Sequence, residues 1–251
     1  GIPAFKEIGV WKFVTGMTWQ PSADEYGIAP MIAASLLATA GAALLGGLIG
    51  LMCALLLADV APKILGNVIR PLINLLAGIP SVVYGFFGLM VVVPWITATF
   101  GGTGNSLLAV ILILSAMILP TMVSLSETAV RAVPQAYREG SLALGATRMQ
   151  TLFKVTLPAA KSGVLNAIVL SIGRAIGETM AVILVAGNRV AMPHSILDPV
   201  RPLTANIALE LSYASGLQEK ALYATGVVLL LFIVIINIIA HIALRGKKEG
   251  A

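Results

Sequence analysis

The sequence contains a run of 33 residues, 26–58, without one Asp, Glu, Lys or Arg. As an α-helix this run would be about 50 Å long, which exceeds the ~30 Å hydrocarbon core of a bilayer. It predicts a membrane-spanning helix with protruding ends. Composition agrees, because 58% of the 251 residues are hydrophobic and only 11% are charged, whereas a soluble domain is about 25% charged. This balance excludes soluble enzymes and disordered proteins.

Four further crossings follow from the same reasoning. Residues 71–126 also lack charge and are too many for one crossing, so Pro94 and the glycine cluster at 101–104 predict two helices separated by a turn. A fourth crossing is expected at 162–186 and a fifth at 221–244. The sequence thus predicts an all-α integral membrane protein with five visible transmembrane helices.

The basic residues indicate the orientation, because cytoplasmic loops carry an excess of Lys and Arg. With residues 1–26 outside, five basic residues lie in outer segments and ten in inner ones, and Arg174 falls within a span. We therefore expect a cytoplasmic C-terminus. The outer five are Lys6, Lys12, Arg189, Arg201 and Lys220, and the inner ten are Lys63, Arg70, Arg131, Arg138, Arg148, Lys154, Lys161, Arg245, Lys247 and Lys248.

This orientation divides the chain into an outer N-terminal segment, 1–26, and a transmembrane domain, 27–251. In the N-terminal segment Trp11 and Trp19 predict a helix at the membrane interface. The transmembrane domain includes a long cytoplasmic loop and a long outer loop, at 127–160 and 187–220. Small residues every four positions predict close helix packing at Gly46 and Gly50, at Ala77, Ser81 and Gly85, and at Gly173, Gly177 and Ala181.

Arg174 is the charge expected deepest in the membrane. It follows Lys161 by 13 residues, or about 20 Å of helix. A charge at that depth costs about 2.5–3.5 kcal/mol on insertion scales, so it needs a partner or an aqueous path. Glu178 would lie one turn away on the same face of a continuous helix. Two interpretations remain open: a structural ion pair, or a solute path in which the Arg fork binds an oxyanion.

The cytoplasmic loop carries a second pattern. Pro134 predicts the start of a helix that ends near Gly145, and Pro158 restarts the chain toward the fourth span. The spacing resembles the EAA signature of ABC importer permeases, Glu-Ala-Ala-x3-Gly-x9-Ile-x-Leu-Pro, which forms a cytoplasmic coupling helix. In this sequence the signature corresponds to Glu139-Gly140-Ser141, then Gly145 after three residues, then Val155-Thr156-Leu157-Pro158 after nine more. Gly140 and Ser141 replace the two Ala residues of the signature, and Val155 replaces its Ile.

Further segments resemble the phosphate-specific permeases. They are residues 77–85, AGIPSVVYG, and residues 173–181, GRAIGETMA, and the stretch 119–134 is also similar. The outer segment, with Thr-Trp-Gln-Pro at 18–21, resembles the PstC-type subunit more than its PstA-type sister. The resemblance covers nearly the whole chain.

The resemblance implies a type I ABC importer permease of a bacterial inner membrane. It implies a heterodimer with a PstA-type sister permease, two cytoplasmic ATPase subunits that use ATP and Mg²⁺, and a periplasmic phosphate-binding protein. Such permeases usually have six spans, so a sixth, N-terminal one is expected to precede the five seen here. The resemblance assigns coupling with the ATPase to Glu139, Gly145, Leu157 and Pro158. It assigns the substrate path to Arg174, Glu178, Thr179, Ser81 and Tyr84.

Nothing in the sequence predicts bond chemistry. A Gly-x4-Gly-Lys-Ser/Thr loop is absent, so ATP must bind in another subunit. His194 and His241 lack metal-ligand spacing, and Cys53 lies in an apolar stretch. We therefore expect no cofactor, metal or nucleic acid in this chain. The alternatives are a permease for another oxyanion, such as sulfate or molybdate, and an ATP-independent channel or secondary transporter, which leaves the coupling signature unexplained.

Two local expectations concern the second span and the outer loop. Pro80, just before Ser81 and Tyr84, predicts either an interrupted helix whose freed backbone groups face a polar cavity or a simple kink. Asp198 and Glu210 are expected on the solvated outer surface.

Overall fold

Helices satisfy their backbone hydrogen bonds internally, as a lipid environment requires, and this apolar chain is helical along most of its length. The computed structural model describes residues 2–245, apart from the side chains of Ile2, Lys63 and residues 239–245. The helices are α1 (Ile2–Ala4), α2 (Val10–Thr15), α3 (Ala29–Leu55), α4 (Lys63–Gly78), α5 (Ser81–Phe87), α6 (Val93–Phe100), α7 (Leu107–Arg131), α8 (Gln135–Ala143), α9 (Arg148–Thr151), α10 (Leu157–Ala159), α11 (Lys161–Ile176), α12 (Met180–Val185), α13 (Leu203–Glu210) and α14 (Gly216–Arg245).

Shorter elements extend or join these helices. Two two-residue strands, β1 (Trp19–Gln20) and β2 (Glu25–Tyr26), pair antiparallel around a 3-10 turn at Pro21–Ala23. The π-helical stretches are Phe5–Gly9, Leu56–Val60, Gly88–Val92 and Leu152–Thr156.

Four helical segments are long and apolar enough to cross a membrane: Ala29–Val60, Ser81–Phe100, Leu107–Arg131 and Gly216–Ile238. A fifth crossing exists only if two helical segments that meet at a 70° bend, Arg148–Ala159 and Lys161–Ile176, are counted as one span. The predicted all-α membrane fold is confirmed, with four or five spans in the described part of the chain.

The second crossing begins later than predicted. Residues 71–78 belong to α4, Ile79 is extended, and Pro80 precedes the first turn of α5. Pro80 therefore interrupts the helix, and a simple kink is excluded. The predicted interruption at Pro94 is wrong, because the span Ser81–Phe100 is helical throughout and Pro94 lies inside it, directly after the π-helical stretch Gly88–Val92. The turn at 101–104 is confirmed, with positive φ at three of its glycines.

The chain divides into two compact units. The first comprises the residues up to 42, then 80–114 and 175–236, and the second comprises 43–79, 115–174 and the end of α14.

The core of the first unit joins the N-terminal segment to the start of α3, to α13 and to α14. Phe13, Ile28 and Met31 are fully buried, in one cluster with Leu203 and Leu222. The N-terminal segment is thus packed into the fold.

The two tryptophans of the N-terminal segment differ in environment. Trp11 in α2 is 80% exposed, whereas Trp19 in β1 is only 7% exposed and meets the Tyr26 ring edge-on at 5.4 Å. The prediction that Trp19 anchors an interfacial helix is therefore wrong, because Trp19 lies in a strand and its indole is buried in the core cluster of the first unit. The interfacial position of Trp11 stays a prediction.

Small residues let α5 and α12 pack closely in the first unit. A Cβ on Gly85 would lie 2.7 Å from Ala181 Cα, and one on Gly88 would lie 2.7 Å from Val185 Cγ1. The predicted packing role of Gly85 and Ala181 is confirmed. Gly173, by contrast, faces open space in the described chain.

In the second unit α3 packs against α7 through glycines. A Cβ on Gly46 would lie 2.6 Å from the Ser115 carbonyl oxygen, and one on Gly50 would lie 2.6 Å from Met122 Cβ. Both approaches are closer than real Cβ contacts, so only glycine fits. The predicted close packing at Gly46 and Gly50 is confirmed.

We expect Gly46→Ala to destabilise the purified transporter by about 1–3 kcal/mol, because the added methyl overpacks a contact with backbone. Thermal unfolding in detergent measures the change. Gly47→Ala is the matched control, because a Cβ at Gly47 meets nothing within 4 Å. Equal unfolding temperatures for the two variants would contradict this account of the α3–α7 contact.

Candidate functional site

A break in the fourth apolar segment determines the positions of the predicted membrane charges. α11 ends at Ile176, and residues 177–179 are not helical. Gly177 has low helix propensity, and the Thr179 hydroxyl donates a 3.3 Å hydrogen bond to the Gly177 carbonyl, which competes with helical bonding. The prediction of one continuous helix over 162–186 is therefore wrong.

Arg174 is exposed in the last turn of α11, where a cation interacts favourably with the helix dipole. Because the helix ends two residues later, Glu178 does not lie one helical turn along the same face, and the predicted i,i+4 pairing is wrong. None of the ion pairs among the described residues includes Arg174. Within the described part of the chain its guanidinium therefore has no acidic partner.

Glu178 instead forms hydrogen bonds that stabilise the non-helical break within the first unit. Its Oε1 accepts a 3.2 Å hydrogen bond from the Ala181 N–H, and its carbonyl accepts a 2.8 Å bond from the Thr204 hydroxyl. It also lines a small cavity of about 10 Å³ together with Ser35, Thr39 and Thr204. A space of this size holds one water molecule at most.

The other predicted path residues lie close to the two breaks in the first unit. Ser81 is half-buried in the first turn of α5, and Tyr84 is buried at 8% exposure. Both α5 and α12 begin directly after a non-helical break and pack side by side through Gly85 and Ala181. Ser81, Tyr84 and Thr179 do not line the Glu178 cavity, so their assignment to a substrate path stays a prediction.

The loop predicted to be cytoplasmic, 127–160, contains the helix that the sequence predicts. Pro134 immediately precedes α8, and Gly145 follows it with φ +85°, a conformation that favours glycine. The Ser141 and Thr151 hydroxyls are 2.9 Å apart and hydrogen-bonded. Pro158 is the second residue of α10, and the chain bends by 70° between α10 and α11. Leu157 packs against the buried cluster of the second unit.

The helix α8 has no buried residue. Glu139 is exposed and accepts a 2.7 Å hydrogen bond from the Gln135 amide. Large apolar side chains are also exposed on this loop, among them Tyr137, Leu142, Leu144, Met149 and Phe153. Contiguous exposed apolar surface is typical of a protein–protein contact.

Sequence reasoning missed Asp59, which anchors this loop. The Arg138 Nη1 donates a 3.1 Å hydrogen bond to Asp59 Oδ1, and Arg138 Nη2 donates to the Val130 carbonyl at 2.9 Å. The Arg148 guanidinium donates to the Asp59 carbonyl. Asp59 is the first charge after the 33-residue uncharged run, which is the signal that could have drawn attention to it.

A second missed group surrounds Glu127, which is 7% exposed. Its Oε1 accepts hydrogen bonds from Arg70 Nε and Arg131 Nε, both at 2.8 Å. Glu127 is the first charge after the uncharged run 71–126. Each of the two runs thus ends in an acid that binds two arginines.

Glu210 in the first unit is buried at 6% exposure, so its predicted surface position is wrong. Its carboxylate accepts hydrogen bonds from Arg201 at 2.7 Å, Trp19 Nε1 at 2.8 Å and the Gln218 amide at 2.9 Å. A buried carboxylate is tolerated when it is paired and hydrogen-bonded in this way.

Asp198 orders the outer loop. The backbone N–H groups of His194 and Ser195 each donate a 2.8 Å hydrogen bond to Asp198 Oδ2, and these bonds hold the pKa of the carboxyl below its usual range. Across the part of the chain that the structure describes, no group of three His, Cys, Asp or Glu side chains could hold a metal ion.

The family described as "Binding-protein-dependent transport system inner membrane component" matches residues 46–248. The chain is 43% identical to a probable ABC transporter permease protein, YqgH of Bacillus subtilis, over 94% of this chain and 80% of that protein. It is 32% identical to the phosphate transport system permease protein PstC of Pasteurella multocida, over 96% of this chain and 82% of that protein.

Solved structures share the fold. The MetNI methionine ABC transporter in an inward-facing conformation matches with a TM-score of 0.70 and 22% identity, over 91% of this chain and 99% of that chain. A bacterial alginate ABC transporter, solved with a periplasmic protein bound to alginate pentasaccharide, matches with a TM-score of 0.67 and 20% identity, over 98% of this chain and 86% of that chain. The chain belongs to the family of binding-protein-dependent transport system inner membrane components and is a permease subunit of an ABC importer.

Proposed function

We propose that the chain is the PstC-type permease subunit of an ATP-driven importer of inorganic phosphate, which works by alternating access. The observation that carries the proposal is Arg174, exposed at a helix break and free of an acidic partner among the described residues. A guanidinium presents a planar fork of N–H donors that matches phosphate oxygens. The PstC relatives support the choice of phosphate.

Arg174 acts in this proposal as the first contact for the anion. Glu178 keeps the break open by bonding to α12 and α13, while Thr179, Ser81 and Tyr84 supply hydroxyl groups near the two breaks. One guanidinium does not neutralise a dianion, so the sister permease is expected to supply a second basic group. A complex in which Arg174 faced lipid would contradict this arrangement.

The proposed partners follow from the cytoplasmic loop and the orientation. Glu139, Gly145, Leu157 and Pro158 shape a loop whose exposed apolar side chains suit docking to an ATPase subunit, which binds the ATP and Mg²⁺. A PstA-type permease completes the heterodimer, and two ATPases and a periplasmic phosphate-binding protein complete the importer. The C-terminus is cytoplasmic.

A permease for another oxyanion, such as sulfate or molybdate, is the alternative. Arg174 could bind these anions as well as phosphate, because the N–H donors of a guanidinium match the oxygen geometry and negative charge that these anions share. Competition by each anion during uptake separates the two functions.

We expect Arg174→Gln to lower phosphate uptake by about tenfold to a hundredfold, because it removes charge-assisted hydrogen bonds to the anion. The measurement is uptake of labelled phosphate by cells that carry the complete partner set at matched membrane levels. Arg189→Gln is the control, because Arg189 is an exposed arginine of the outer loop. Normal uptake by Arg174→Gln would overturn the assigned role, and uptake inhibited more strongly by sulfate or molybdate would favour the alternative.

We expect Asp59→Asn to reduce the phosphate transported per ATP hydrolysed, because the loop loses its ion pairs with Arg138 and Arg148. The loss of the anchor should also lower stability by about 1–3 kcal/mol. Uptake and ATPase activity of the reconstituted complex, with its unfolding temperature, measure both effects. Asp24→Asn in the outer hairpin is the control, since Asn tolerates the positive φ at that position. An unchanged transport-to-hydrolysis ratio would show that Asp59 has no part in coupling.

A further inference from the structure

The second unit contains a pocket of about 290 Å³ between α4 and α7. It is separate from the predicted substrate-path residues, and the resemblance assigns it no function. Its volume is close to the lower end of small-molecule sites in proteins. Its lining includes Arg70, Asn74, Ser124, Glu127 and Arg131.

The two arginines of the pocket are held in a fixed arrangement. Arg70 and Arg131 donate from Nε to the same oxygen of Glu127 and from Nη2 to the same carbonyl, that of Leu57, at 3.1 and 2.8 Å. The shared acceptors place both guanidinium groups side by side at one wall of the pocket. This arrangement exists before any ligand binds, which lowers the entropic cost of binding.

The charge and the donors of the pocket favour an anion. Two guanidinium groups against one carboxylate leave a formal charge of +1. Each guanidinium has five N–H donors and uses two of them in the bonds described, so three on each have no acceptor among the described residues. Asn74 and Ser124 add neutral polar groups. Phosphate oxygens match such paired forks.

The position of the pocket brings it to the level of lipid headgroups. Arg70 and Arg131 belong to the inner set of basic residues, which lies on the cytoplasmic side. On α4, large apolar side chains at helical spacing are exposed, as in a helix that contacts lipid. They are Ile64, Leu65, Val68, Leu72, Leu75 and Leu76.

We propose that this pocket binds an anionic phosphate group on the cytoplasmic side of the membrane. The group comes from the headgroup of an anionic phospholipid or from free inorganic phosphate, since the two share the chemistry that the pocket recognises. Basic pockets between transmembrane helices on this side are known to hold lipid headgroups. An occupant would bridge α4 and α7 through Arg70 and Arg131.

The experiment uses the complete purified transporter, in wild-type form and with Arg70→Gln or Arg131→Gln. In one arm, native mass spectrometry counts phosphatidylglycerol retained after purification from nanodiscs of phosphatidylcholine with or without phosphatidylglycerol. In the other arm, equilibrium binding of labelled inorganic phosphate is measured in lipid-free detergent. Either substitution leaves Glu127 with one arginine partner, so we expect the fold to be retained.

Arg138→Gln is the matched control, because it also removes an inner arginine that binds an acid and a carbonyl but does not line the pocket. Glu127→Gln tests whether positive charge in the pocket favours binding. It raises the formal charge of the pocket, so we expect binding of the anionic group to be maintained or strengthened. Weaker binding of both probes by Glu127→Gln would contradict the proposal.

We expect Arg70→Gln and Arg131→Gln each to lower the amount of phosphatidylglycerol retained, or the affinity for labelled phosphate, by about tenfold or more. The reason is the loss of a charge-assisted hydrogen bond to the anion. A loss confined to phosphatidylglycerol identifies the lipid as the source, and a loss confined to labelled phosphate identifies the free anion. Equal retention of both probes by wild type and both variants would overturn the proposal. A side chain of a partner subunit filling the pocket in the assembled transporter would also overturn it.

Discussion

The inner part of the second unit depends on two carboxylates placed among four arginines. Carbonyl groups at the C-terminal end of a helix have no partner within it, and arginines bind those of Leu57 and Asp59, at the end of the long first span. The carboxylates of Asp59 and Glu127 hold these arginines in place. Because both acids are largely shielded from water, the pairs resist screening better than exposed ones. The π-helical end of the first span, the middle of α4, the C-terminal end of α7 and the loop after it meet at this cluster.

The first unit is governed by a different constraint, the cost of non-helical backbone in an apolar segment. Such backbone is tolerated where protein groups satisfy it. At the break after α11, Glu178 and Thr204 supply those groups by binding α12 and the Glu178 carbonyl. The acid that the sequence offered as a partner for Arg174 is therefore engaged in holding the break. Arg174, the last residue of the second unit before this break, has no acidic partner among the described residues.

Much of the fold could be predicted because hydropathy, proline and glycine act locally. The first span, the glycine turn at 101–104 and the cytoplasmic helix between Pro134 and Gly145 follow from short stretches of sequence. Two of the misassigned residues are Trp19 and Glu210, which lie 191 positions apart, are both buried and are joined by one hydrogen bond. Burial of that kind depends on which distant segments meet, and single-sequence patterns do not contain it.

The sequence by itself determined the membrane class and the helix between Pro134 and Gly145, since each depends on composition or on spacing along the chain. The orientation stays a prediction from the basic residues. The tertiary structure alone decided where the fourth apolar segment breaks and which acids hold which arginines. The physical reason is that a helix continues or ends according to the hydrogen-bond partners that other segments bring to its backbone. Asp59, Glu127 and Glu178 each gain their role from partners that only the folded chain provides.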